Sequence, residues 1–343
     1  MSLTEREIDI LSSIIESYIQ TAVPVGSRTV ARQTSLGLSP ASIRNVMADL
    51  TDQGYLEQPH ASAGRVPTPK AFRFYLNRIL RLSPLPENER HFILNQLGVT
   101  GPEITDTLRQ AGRVLSSISR QVSMVLAPLY AGVRLKRVEF VLIKPRLVLV
   151  VLILAGGIIQ KKLIDLEEPV RTDDLVSYAN YLNEKFVDRT VAEIKAHILS
   201  ELKGTRELLS SRFSQALLLV QQTFESGDEP RVYVDGTTNI LSQPEFTTLR
   251  SIRDLIQALE DRSKLLSILD KVMDSKGVLI TLGDEGALTQ MPELSLIASP
   301  YTVMGQTLGV IGVIGPMRMD YASLVPVVDY TAQTLAKILS DRF

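Results

Sequence analysis

The sequence predicts an α+β protein: an N-terminal winged helix-turn-helix, then an antiparallel sheet split around a mainly helical inserted block. Three observations carry this. Three amphipathic helix patterns precede residue 54, with a tight turn before the third. Two short β-type runs follow around a glycine-bearing loop. Finally, β-rich segments at 137–166 and 277–314 flank a stretch, 172–273, that reads as mainly helical. At 343 residues the chain is long enough for two or three domains of roughly 100–200 residues each.

Thr4-Glu5-Arg6-Glu7 is a capping-box pattern, and Ile8, Leu11, Ile15, Tyr18 and Ile19 follow at helical spacing, which predicts a first helix ending before Pro24. Ser27 caps a short second helix reaching Gln33. Ser35-Leu36-Gly37 reads as a turn, with Gly37 suited to positive φ. Ser39 is a good N-cap for the third helix, Pro40 takes its tolerated first position, and Gly54 stops it. Ile43, Val46, Met47 and Leu50 form the apolar stripe of that helix; Ser42, Arg44, Asn45 and Ala48 fall largely off it. Tyr55-Leu56-Glu57 and Val66 flank the loop from Pro59 to Gly64, giving a two-stranded ribbon, and a fourth helix starts at Thr68-Pro69 and runs to about Leu82.

Ser83-Pro84-Leu85-Pro86 is a linker, and Ile104 to Leu126 reads as one long helix. Arg137 to Ile143, Leu147 to Leu154 and Ile158 to Leu166 form an antiparallel meander, separated by Lys144-Pro145-Arg146 and Gly156-Gly157. Thr172 to Met273 is mainly helical around a strand-like Arg231 to Val234. Strands resume at Gly277 to Leu282, Leu294 to Val303 and Thr307 to Ile314, before a closing helix from Tyr321 to Leu339. The expected boundaries are 1–82 for the DNA-binding domain, 83–171 and 274–343 for the two halves of the sheet domain, and 172–273 for the insert.

A formal net charge of -1 gives the whole molecule no broad attraction to nucleic acid or membrane, so any basic function is local. The run from Gln58 to Tyr75 is such a place, with Arg65, Lys70 and Arg73 and no acid. The absence of cysteine excludes disulfides, thiolate metal sites and cysteine nucleophiles, and fits a reducing cytoplasm. No basic-then-apolar leader is visible, and the apolar run Leu147 to Ile159 is shorter than the ~20 residues of a spanning helix; a cytoplasmic protein without a membrane partner is expected. HExxH, G-x-S-x-G and strand-following GxGxxG patterns are missing, and the three histidines, His60, His91 and His197, are scattered. No enzyme, cofactor or metal is expected. Gly283-Asp284-Glu285-Gly286 reads as a solvated hairpin loop in preference to a cation site.

In a winged helix-turn-helix the third helix meets base edges while helix N-termini and the ribbon hold phosphates. Arg44, able to pair bidentately with guanine, and Asn45, able to pair with adenine, are the candidates for direct readout. Ser39 and Ser42 are phosphate contacts, and Arg28 is either a phosphate contact or ordinary surface. Arg65 either enters a minor groove or meets a phosphate, Gly64 allows close backbone approach, and Lys70 and Arg73 grip the flanking backbone. His60 and Ser62, in the ribbon loop, complete the DNA-binding set; a packed turn is the alternative for His60. The loop is no nucleotide cradle, since Ala61 to Arg65 lacks the lysine and hydroxyl of the Walker pattern.

Ser42-Ile43-Arg44-Asn45-Val46-Met47-Ala48-Asp49-Leu50, Gln58-Pro59-His60, Ser62-Ala63-Gly64-Arg65 and Pro67-Thr68 resemble the N-terminal signature of the HrcA family, bacterial heat-inducible transcription repressors. Gly309 to Pro316 followed by Met319-Asp320-Tyr321 resembles the C-terminal segment of the same family. The resemblance implies a GAF-like sheet domain, a dimerising domain inserted in it, and a homodimer that represses chaperone genes by binding double-stranded DNA at an inverted-repeat operator called CIRCE. It also implies the GroEL chaperonin as a partner that helps the repressor reach its binding-competent form. Lys70-Ala71-Phe72 departs from a more usual Gly-Tyr pattern. GAF-like sheets often hold small molecules, so the rival expectation is a ligand-gated regulator. Gly305, Gly309, Gly312 and Gly315 then mark either backbone close to a ligand or close strand–helix packing.

Overall fold

The computed structural model describes residues 3–34, 36–101, 103–128, 133–155, 158–194, 196–197, 219, 231–240, 243–246, 257, 261–283, 285, 293–303 and 305–341. Much of the helical block expected at 172–273 lies outside them, as do Ser35, Gly156-Gly157, Asp284 and Gly286. The N-terminal unit comprises α1 (Glu5–Thr21), α2 (Ser27–Gln33), α3 (Pro40–Asp52), β1 (Leu56–Glu57), β2 (Val66–Pro67) and α4 (Pro69–Arg78). Ile10, Leu11, Ile14 and Ile15 from α1 are buried with Val30, Ile43, Leu50, Leu56 and Phe72, one stripe from each element.

The predicted capping box closes α1: the Glu7 N–H donates to the Thr4 hydroxyl at 3.3 Å, and the Thr4 N–H donates to the Glu7 carboxylate at 2.8 Å. These bonds to Thr4 hold the Glu7 carboxyl below its ordinary pKa. Thr4→Ala is expected to cost about 1 kcal/mol, read as a lowered midpoint in urea. The fourth helix ends at Arg78, short of the expected Leu82, where the Ile79 and Leu80 N–H groups both donate to the Tyr75 carbonyl, at 2.9 and 2.8 Å, and close the last turn. A helix that the periodicity does not announce, α5 (Glu87–Gly98), follows; it buries only Ile93 and Leu97, too sparse a stripe to read.

The single helix expected from Ile104 to Leu126 is corrected. It is α6 (Ile104–Ser119), a left-handed Arg120 at φ 53°, and then β3 (Val122–Leu126). Every residue of β3 is buried, and a continuous apolar run does not distinguish helix from strand by period. Tertiary pairing decides it. β3 lies in a five-stranded antiparallel sheet of order β7-β3-β10-β9-β8, with β7 (Val232–Asp235), β8 (Leu279–Leu282), β9 (Leu294–Val303) and β10 (Gln306–Pro316). A short α8 (Thr237–Ile240) follows β7. α9 (Arg262–Met273) covers one face, where its Leu265, Ile268, Leu269 and Val272 pack with Met124, Leu126, Leu296 and Ile314. On the other face Val125, Ile297, Ile311 and Val313 join the core of α5, α6 and α10 (Tyr321–Ser340). Both faces of this sheet are therefore buried.

The meander folds as expected, β4 (Leu135–Lys144), β5 (Leu147–Leu154) and β6 (Ile158–Asp165), but as a separate three-stranded sheet. Its expected membership in the split sheet is corrected. β7 and α9, expected inside the insert, belong with the five-stranded sheet, whereas β4–β6 stand apart with α7 (Thr172–Phe186). Val148, Val150, Leu152 and Leu154 alternate inward along β5, against Leu175, Tyr178, Leu182 and Phe186 of α7. Asn183 pins the helix to β4 by accepting from the Val138 N–H at 2.7 Å and donating to its carbonyl at 3.0 Å. Alternation reveals a strand with one covered face; it does not name the sheet to which that strand belongs.

Close packing accounts for the β10 glycines. The Tyr301 ring lies across Gly309, and its hydroxyl donates to the Leu126 carbonyl at 2.6 Å, so one side chain spans β9, β10 and β3. A Cβ on Gly312 would stand 2.6 Å from the Ala298 Cβ, and one on Gly315 would stand 2.8 Å from the Met319 sulfur. Gly305 has φ +80° in the turn between β9 and β10.

Candidate nucleic-acid interface

α3 is held by its ends and its inner stripe, which leaves an outer face free. The Ser39 hydroxyl accepts from the Ser42 N–H at 3.1 Å and lies 3.0 Å from the Ser42 hydroxyl, while Pro40 occupies the first turn. Ile43, Val46, Met47 and Leu50 are buried; Arg44, Asn45 and Ala48 are exposed, and the first turn carries no acid. Arg28 is exposed at the start of α2, which packs beside α3. The structure thus places the two readout candidates on one exposed helix face.

The ribbon is braced from within. β1 and β2 pair through Leu56 with Pro67 and Glu57 with Val66. Gln58 Nε2 donates to the carbonyls of Ala61 at 2.9 Å and Ala63 at 3.0 Å, and the Ala63 N–H closes the turn onto His60 at 2.8 Å. His60, Ala61 and Ser62 are exposed at its tip. Arg65 exchanges both backbone hydrogen bonds with Val25, at 2.8 and 2.9 Å, so a segment before α2 acts as a third leg. Gly64 is needed there: a Cβ would stand 2.5 Å from the carbonyl carbon and oxygen of Val25. Its close backbone approach is to Val25.

Three of the expected phosphate grips hold protein groups. Arg65 Nε donates to the Thr51 hydroxyl at 3.1 Å and is half-buried beside the last turn of α3. Lys70 Nζ donates to the Gln53 carbonyl at 2.8 Å and sits 4.4 Å above the Tyr55 ring, where an ammonium complements the helix C-terminus. Arg73 pairs with Glu285 and donates to the Ile280 carbonyl at 3.2 Å, so its guanidinium faces the five-stranded sheet. The loop read as merely solvated thus supplies a carboxylate partner to α4. Sequence reasoning missed Gln58, Thr51 and Glu285; only the adjacency of Gln58 to the ribbon loop offered a signal.

Among the described residues no helix is long and apolar enough to cross a membrane. Residues 105–325 match the family model described as HrcA protein C terminal domain. The chain is 42% identical over 337 residues to the heat-inducible transcription repressor HrcA of Geobacter sulfurreducens, covering 98% of each. To the same-named protein of Nitratidesulfovibrio vulgaris strain Hildenborough it is 43% identical over 351 residues, covering 100% of this chain and 99% of the relative. A crystal structure described as a hypothetical protein at 2.2 Å resolution shares the fold, with a TM-score of 0.63 at 20% identity across 100% of both chains.

Proposed function

The chain belongs to the HrcA family of heat-inducible transcription repressors, and from that premise we propose that it is a homodimer whose N-terminal winged helix-turn-helix binds one half of an inverted-repeat operator of the CIRCE type. The exposed, acid-free start of α3 beside an internally braced wing carries the reading. Arg44 and Asn45 read base edges; the hydroxyls of Ser39 and Ser42, and Arg28, meet phosphate. His60 and Ser62 present the wing tip, and Arg65 sets its distance from α3. Two such units bind half-sites separated by about 34 Å or a multiple.

The segment between β3 and β7, a revised insert, is the proposed dimerising unit within a GAF-like domain. Its supporting feature is the outer face of β4–β6, where Val141, Ile143, Ile159 and Leu163 are 45%, 49%, 48% and 57% exposed. GroEL is the proposed helper of the binding-competent form, and chaperone genes in the cytoplasm the proposed target.

Footprinting on an inverted-repeat duplex and a scrambled duplex, across salt and with and without chaperonin, tests this. Equal protection of both duplexes would sink the operator reading. Arg28→Ala, at an exposed position of α2, is expected to weaken all duplexes and lower the magnitude of the salt slope by about 0.9, measured by titration at four salt concentrations.

A further inference from the structure

Two arginines join the N-terminal unit to the five-stranded sheet. Arg73, in the middle of α4, donates through Nε to Glu285 at 2.6 Å and through Nη2 to the second carboxylate oxygen and to the Ile280 carbonyl. Glu285 is held in place to receive it: the Leu282 N–H donates to its carboxylate at 3.1 Å, and its own N–H donates to the Leu282 carbonyl at 2.9 Å. Arg318 reaches the opposite way. Its Nη1 donates to the Ile19 carbonyl at 3.2 Å, in the last turn of α1, while Nη2 donates to Gln243 at 2.9 Å and the guanidinium pairs with Glu245. That pair is largely enclosed, at 14% and 18% exposure. Just beyond α4 the Ser83 N–H donates to the Ala322 carbonyl at 3.0 Å.

We propose that these contacts form an autoinhibitory latch: Glu285 and Arg318 hold the DNA-binding unit in one orientation on the sheet, and Glu285 withholds the charge of Arg73 from DNA. The proposal rests on the DNA-binding reading above. Arg73 belongs to the acid-free run that supplies Arg65 and Lys70, yet among the described residues it alone of the three is paired with a carboxylate. An arginine already paired with a carboxylate releases no counterion from a phosphate, so the latched state makes one such contact fewer. A fixed orientation also admits only one separation between half-sites, whereas an unlatched unit can adjust to its duplex. When only a fraction of molecules is unlatched, apparent affinity falls by that fraction.

Glu285→Gln keeps the side-chain shape and removes the charge that holds Arg73. In the full-length protein it is expected to tighten binding to an inverted-repeat duplex by about 1.5–5-fold, the range a part-exposed ion pair supports. The salt slope should steepen by about 0.9. Glu285→Ala removes the acceptor and should move both readouts further. Glu293→Gln, an exposed acid on the same domain, makes the same change in net charge and should leave the slope unchanged.

Because the chain has no cysteine, a dye pair on Asp9→Cys and Lys337→Cys, both exposed positions, reports the orientation without background labelling. Without DNA, Glu285→Gln should add a second distance population, and adding Glu245→Gln should enlarge it. An unchanged distribution in the double variant overturns the latch. A changed distribution with the salt slope of Glu293→Gln overturns the withholding of Arg73. A changed distribution in a protein that binds no duplex supports the latch and overturns the DNA-binding reading instead.

Discussion

Replacing Arg44 by alanine is expected to lower discrimination between operator and random duplex by about 1–3 kcal/mol, roughly 5- to 150-fold, while leaving most of the affinity for random DNA. Arg44 is exposed on α3, one residue from the buried Ile43, and the helix is fixed independently by the Ser39 cap and by Val46, Met47 and Leu50. Truncation therefore removes a donor fork without moving its platform. Thermal stability should stay within about 0.5 kcal/mol of the parent, as for other surface changes away from caps and cores. The check is paired titration of operator and scrambled duplex at one salt concentration. Equal weakening of both would move Arg44 from base readout to phosphate.

The second large effect is on the sheet. Gly309→Ala is expected to cost about 1–3 kcal/mol, the usual penalty for overpacking a filled core. A Cβ there would stand 2.6 Å from Tyr301 Cζ and overlap the Leu126 carbonyl. Tyr301 is fully buried and cannot swing into solvent, so either its bond to Leu126 breaks or β9 and β3 separate. Both outcomes strike the join between β3 and the rest of the sheet. Urea denaturation read by tyrosine fluorescence would measure the loss; the chain has no tryptophan to mask it. Tyr301→Phe alone should cost less, since it leaves the Leu126 carbonyl without its side-chain donor but creates no overlap.

The N-terminal unit was legible because its signals are local. Thr4 with Glu7, Ser39 with Pro40, and Gly54 each announce a helix end within four residues, and all three act as read. Arg44 and Asn45 could be placed on the outer face because Ile43, Val46, Met47 and Leu50 mark the inner one. The sheet assignments failed where the deciding partner is remote. β3 pairs with β10, so Val122 to Leu126 reads as the tail of a helix until Ile314 and Val310 are brought beside it. The meander has a clear period of two, yet nothing in Leu147 to Leu154 says that α7 supplies its cover. The same blindness applies to charge. Arg73 looks like a phosphate grip by its neighbours in sequence, and its partner lies 212 residues away.

The central sheet also sets a timetable for synthesis. β3 leaves the ribosome before the whole of the intervening unit, while β10, its antiparallel neighbour, begins at Gln306. At about 5–20 residues per second, that gap lasts roughly 10–40 s. Until β7 emerges, Val122, Met124, Val125 and Leu126 form an apolar segment with neither edge occupied, and until β10 emerges one edge stays empty, in a chain whose first helices are already complete. The nascent protein is therefore most prone to wrong association before its last strands emerge, and its yield should depend on whatever shields that segment in the interval.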